Sequence, residues 1–125
     1  YHIGNFAWDP KTAYDSLLCL NAKKIYLMIG ENDQSIIDLK NKGNLPRNVE
    51  IIDPYHKIES LKITLNYWPL QEWPNKSKRY YGVTGYPNRK YKTMPKKRII
   101  NCSTDQCNFK PQDINSLIEL LKEIE

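Results

Sequence analysis

The sequence predicts one α/β domain over residues 1–125, a three-layer sandwich with a mixed, mainly parallel central sheet. Strand-sized apolar runs alternate with stretches of helical period through the first two thirds of the chain. One run, residues 23–30 (KKIYLMIG), is apolar without alternation, as in a strand covered on both faces. With 125 residues, nine Tyr, three Trp and two Phe, the chain has the length and the apolar volume for one core.

The elements follow in order. Residues 2–6 read as a short strand. Asp9 is a suitable N-cap and Pro10 a suitable first helical residue, where a missing N–H costs nothing. A helix then runs to about Asn21, with Ala13, Leu17, Leu18 and Leu20 at helical spacing and Cys19 as a small core residue. After the 23–30 strand, Asp33 is placed to cap a second helix carrying Ile36, Ile37 and Leu39, which stops at Gly43. Residues 49–53 (VEIID) form the next strand, ended by Pro54. Ile58, Leu61, Ile63 and Leu65 suggest a third helix over 57–67, which Pro69 prevents from continuing. Residues 68–74 (WPLQEWP) read as a packed loop. Residues 78–83, 89–93 and 98–102 read as strands with turns at 85–88 and 94–95. The final helix opens at Pro111 and fills 112–124, with Ile114, Leu117, Ile118, Leu121 and Ile124 on one face. Crossovers between parallel strands are expected to be right-handed.

Charge is concentrated. The net charge is +5, yet residues 73–104 hold nine Lys or Arg and no acid, while residues 1–72 and 105–125 are close to neutral or acidic. Within the basic region, taken as a Tyr-rich hairpin at about 76–102, cations alternate with rings. They are Lys78, Arg79, Tyr80 and Tyr81, then Tyr86, then Arg89, Lys90, Tyr91 and Lys92, then Lys96, Lys97 and Arg98. Cations neutralise phosphate and unpaired bases stack on aromatic rings, so this set points to nucleic acid or a phosphorylated ligand. The same lysines also suit a second role, keeping a hairpin soluble and its edge unpaired.

A second candidate lies at the carboxyl ends of the first strands, where open α/β sheets hold their ligands. Asn5, Asp9, Glu31, Asp53 and His56 fall there. His56 beside Asp53 suits acid–base chemistry or an ordinary surface turn. This crevice would suit a small enzyme or the nucleotide-binding half of one. Trp68 and Trp73 offer a third reading, anchors for a protein partner. The chain has no GxGxxG, no GxxxxGK[ST] and no GxSxG. Cys102 and Cys107 form one knuckle without a second, so no metal or cofactor is expected. They read as free thiols or a local disulfide. No apolar run nears the length that crosses a bilayer, and no leader precedes the first strand. The expectation is a soluble, intracellular protein, with the compartment left open.

Tyr81-Gly82-Val83-Thr84-Gly85-Tyr86-Pro87 resembles the segment around the cis-proline of thioredoxin-like domains. The resemblance covers seven positions, and the order of elements is similar too. It implies a thioredoxin-like sheet, although a Rossmann-like sheet explains the first half equally well. The family carries its redox cysteines where this chain has Glu31-Asn32-Asp33-Gln34, and Thr where it has Asn88. The resemblance therefore implies a binding role without thiol chemistry at that place.

Overall fold

The computed structural model describes every residue except Trp8, Leu70, Asn88, Arg89, Asp105, Gln106, Asn108, Phe109 and Glu125, and omits the side chains of Leu120, Leu121, Glu123 and Ile124. The chain is mixed α/β and divides into two compact units, Tyr1–Pro54 and Tyr55–Glu125. Among the described residues the strands form two sheets, not the single central sheet that alternation suggested.

The first unit runs β1 (His2–Ile3), α1 (Pro10–Cys19), β2 (Ile25–Met28), α2 (Gln34–Asn41), β3 (Val49–Ile52). Its sheet is parallel in the order β1-β2-β3, with His2 opposite Leu27 and Ile25 opposite Val49. Successive crossovers of one hand in one direction place both helices on the same face. Ala13 and Leu17 of α1 accordingly meet Ile36 and Leu39 of α2 over Ile25 and Leu27. Within this unit both helices therefore cover one face of the sheet. Met28 is fully buried, and Tyr26 stacks on Tyr1 with ring centroids 4.8 Å apart. Asp9 caps α1 as expected, accepting from the Thr12 amide at 2.9 Å. Cys19 is exposed at the end of α1 and is not a core residue. Gly43 takes the left-handed conformation that ends α2 (φ 71°).

The second unit runs β4 (Tyr55–Ile58), β5 (Ile63–Asn66), β6 (Tyr81–Thr84), β7 (Ile99–Asn101), α3 (Ile114–Ile124). Its sheet is mixed, in the order β4-β5-β6-β7, with β4 antiparallel to β5 and the rest parallel. The helix expected over 57–67 is absent. Lys62 adopts φ 53°, which breaks any helix there and closes a tight turn between β4 and β5. Ile63, Thr64, Leu65 and Asn66 then alternate with period two, and so do Tyr81, Gly82, Val83 and Thr84. The register puts Ile63, Leu65, Tyr81, Val83 and Ile100 on one face and Thr64, Asn66, Gly82, Thr84 and Asn101 on the other. Trp73 and Pro74 fold back over that polar face. Thr64 Oγ1 donates to the Pro74 carbonyl at 2.7 Å. The Trp73 ring lies so close over Gly82 that a Cβ there would sit 2.8 Å from it. β6 and β7 are parallel, so the hairpin expected at 76–102 does not form. The strand expected at 89–93 has no counterpart in Lys90–Thr93, and Arg89 lies outside the described residues. Helix α3 begins two residues later than expected, where Asp113 accepts from the Ser116 hydroxyl at 2.8 Å. No cis peptide bond occurs among the described residues.

Candidate polyanion-binding groove

The basic segment contributes a groove of about 720 Å³ in the second unit, between Pro69, Gln71, Glu72 and Lys76 on one side and residues 91–99 on the other. Local chain geometry builds its cationic wall. Met94 and Ile99 exchange both backbone hydrogen bonds, at 2.8 and 3.2 Å. Pro95–Lys97 makes a 3₁₀ turn between them, with Pro95 fixing its first residue, and Arg98 (φ 59°) reverses the chain into β7. The two lysines of this turn, Lys96 and Lys97, project into solvent at the groove, joined by exposed Lys92. Among the described residues no carboxylate lies within ion-pair distance of these three.

Lys76 and Arg98, which also line the groove, are engaged. Lys76 Nζ donates to the Gln71 carbonyl at 2.7 Å and to Glu72 at 2.8 Å, and sits 4.9 Å above the Trp73 ring. The Arg98 guanidinium donates to the Arg79 carbonyl at 2.7 Å and lies 5.0 Å over the Tyr81 ring. Lys76 and Arg98 are thus held in place, and Lys92, Lys96 and Lys97 are the exposed charges beside them. Lys76 was not among the expected site residues; its spacing of four from Glu72, beside Trp73, was the available signal.

Tyr91 stands at the groove's edge, 42% exposed. Its ring meets that of Tyr86 edge-on at 5.6 Å, and Tyr86 in turn meets Trp68 at 5.2 Å and Tyr67 at 5.6 Å. Trp68 is 48% exposed, so this row of rings ends in solvent at both Trp68 and Tyr91. Asn101, buried at the end of β7, fixes the row. Its Nδ2 donates to the carbonyls of Tyr86 (3.1 Å) and Tyr91 (2.5 Å), while its Oδ1 accepts from the Ser103 amide (2.8 Å).

Several expected site residues lie elsewhere. Tyr80 and Tyr81 are buried, Tyr81 as a core residue of β6, so neither ring is free to stack on a base. Alternation within a strand fixes this: Tyr81 shares its face with Val83 and Ile63. Tyr86 is half-buried inside the ring row. Lys78, Arg79 and Lys90 are exposed but do not line the groove. Trp73 is buried, its Nε1 donating to the Tyr80 carbonyl at 3.0 Å, and offers no partner surface; Trp68 does.

At the strand ends of the first unit, polar side chains are consumed by the backbone. Asn5 (φ 53°) accepts from the Asn32 amide at 3.1 Å. Asp33, expected as a cap, makes no side-chain bond to α2. Instead, fully buried, it accepts from the amides of Phe6 (2.5 Å) and Gly30 (2.8 Å) and ties the β1 loop to β2. Gly30 is obligatory here, because a Cβ would lie 2.5 Å from the Asn5 nitrogen. Asp9 is exposed, its carboxyl held below the usual carboxylate range by its Thr12 hydrogen bonds. Glu31 and Asp53 are exposed, and His56 lies in β4 of the second unit, opposite Leu65.

Among the described residues no group of three His, Cys, Asp or Glu is placed to hold a metal ion, and no helix is long and apolar enough to cross a membrane. No family model, no curated protein and no solved structure matches the chain.

Proposed function

We propose that the chain binds single-stranded nucleic acid along the groove, with Lys92, Lys96 and Lys97 contacting phosphates and Tyr91 stacking on a base. The observation that carries this reading is the set of three exposed lysines without a carboxylate partner among the described residues, beside an exposed ring. Phosphate neutralisation supplies affinity without sequence preference, and an aromatic face accepts any base. A duplex keeps its bases stacked inside, so the Tyr91 contact is available only to an unpaired strand. The Arg98 guanidinium adds positive potential at little ordering cost, since its side chain is already held, while the Glu72 carboxylate offsets the charge of Lys76.

The test is fluorescence anisotropy of a labelled single-stranded oligonucleotide across a salt series. Each phosphate contact to a single strand adds roughly 0.7 to the slope of log affinity against log salt, so three lysines contribute about 2. Replacing Lys92, Lys96 and Lys97 with Gln removes that part. Raising salt from about 50 to 200 mM then costs the variant about 20-fold less affinity than it costs the wild type. Tyr91→Ala weakens binding with the slope unchanged. A slope identical in wild type and triple variant rules out the groove, and absence of binding at low salt rules out the function.

A further inference from the structure

We propose that Cys102 and Cys107 form a reversible dithiol–disulfide pair that reacts with small-molecule disulfides and closes across the end of β7. Cys102 continues the sheet beyond Asn101, its amide donating to the Thr84 carbonyl at 2.8 Å. The chain then turns back on itself: the Cys107 amide donates to the carbonyls of Ser103 (3.2 Å) and Thr104 (3.3 Å). This turn brings the Cys107 Sγ to 3.8 Å from the Asn101 carbonyl, the peptide group that Cys102 itself completes. The two thiols are close enough for each to shift the titration of the other. Both are free, and both are only partly covered.

The environment orders the chemistry. Burial pushes the Cys102 thiol up to about 12, which leaves almost no thiolate at neutral pH. Burial also raises Cys107, but the neighbouring Cys102 thiol opposes that rise. Cys107 is therefore the attacking group and Cys102 the resolving one. The Cys107 sulfur, losing its proton to solvent, attacks one sulfur of glutathione disulfide; the S–S bond breaks and one glutathione thiolate leaves. The Cys102 sulfur then attacks Cys107 in the mixed disulfide, loses its own proton, and expels the second glutathione. Two protein thiols are oxidised and one glutathione disulfide is reduced to two thiols. The product joins the residues on either side of the turn that follows Asn101, the side chain holding Tyr86 and Tyr91.

The experiment uses the full chain carrying Cys19→Ser, which removes the exposed third thiol. The folded protein is incubated with glutathione disulfide at about pH 9, because both raised thiols must lose a proton to react, and free thiols and intact mass are read. The expected result is a fall from two free thiols to none with loss of two hydrogens and no attached glutathione, reversed by excess reduced glutathione. Adding Cys102→Ser gives a persistent glutathione adduct at Cys107; adding Cys107→Ser instead gives an adduct more slowly or not at all. The proposal is overturned if the parent retains a stable glutathione adduct, or if both thiols react only after unfolding in urea. These readouts do not involve nucleic acid, so they stand apart from the groove's function.

Discussion

Replacing Asn101 with Ala tests whether one buried side chain both secures the second unit and positions the ring row. Asn101 is 2% exposed and makes three hydrogen bonds to backbone, two as donor and one as acceptor. Each such bond contributes about 1 kcal/mol net, so Asn101→Ala destabilises by about 3 kcal/mol. Asn101→Asp separates the roles. It keeps the acceptor for the Ser103 amide but turns a carboxylate oxygen toward two carbonyl oxygens in a buried place. Burial and those carbonyls raise the folded-state pKa of such a carboxylate above its unfolded value near 3.9. Its penalty is thus absent below that value and grows as pH rises through the folded pKa. Urea unfolding followed by tryptophan fluorescence, at about pH 5 and pH 7, measures all three proteins. The aspartate variant is expected to be at least as unstable as the alanine variant at pH 7 and to recover part of the loss at pH 5. Both variants also weaken oligonucleotide binding, because Tyr91 loses its anchor. An Asn101→Ala protein within about 0.5 kcal/mol of wild type, a difference typical of ordinary surface substitutions, refutes the reasoning.

Asp33→Ala strands two amides, those of Phe6 and Gly30. At about 1–3 kcal/mol for each orphaned group, urea unfolding is expected to show a loss of roughly 2–6 kcal/mol, and Asp33→Asn about half of it. Gly82→Ala drives a methyl group into the Trp73 ring; the expected cost is about 1–3 kcal/mol, with a changed Trp emission in the folded state. Burial lowers the pKa of His2 against the pull of Asp33, and its Nδ1 is buried without a hydrogen-bond partner among the described residues. A lowered folded pKa favours the neutral ring, so the stability it provides is complete above about pH 6.5 and is lost as pH falls below it. Unfolding measured from pH 7.5 to 5 is expected to show this decline, and His2→Asn to flatten it.

Local patterns made much of the first unit legible. Asp9 followed by Pro10, the unbroken run of β2 and the stop at Gly43 are all encoded within a few residues of where they act, and each element formed there. The uneven charge was equally visible, since it needs only counting. Residues 57–67 show where such patterns fail. Ile58, Leu61 and Leu65 satisfy helical spacing, while Ile63, Leu65 and Tyr67 satisfy strand spacing, and nothing local separates the two. Pairing of β5 with both β4 and β6 decided it, through backbone hydrogen bonds to residues up to 18 positions away in register (Ile63 opposite Tyr81). The same non-local pairing decided which rings are available. Tyr81 and Tyr91 each lie among cations in the sequence, yet one is a core residue of β6 and the other an exposed edge of the groove. Composition by itself determined that this chain carries a concentrated positive charge with aromatic rings. Only the tertiary structure decided which lysines stay free and which ring faces solvent, because burial depends on what strand pairing brings to cover each side chain.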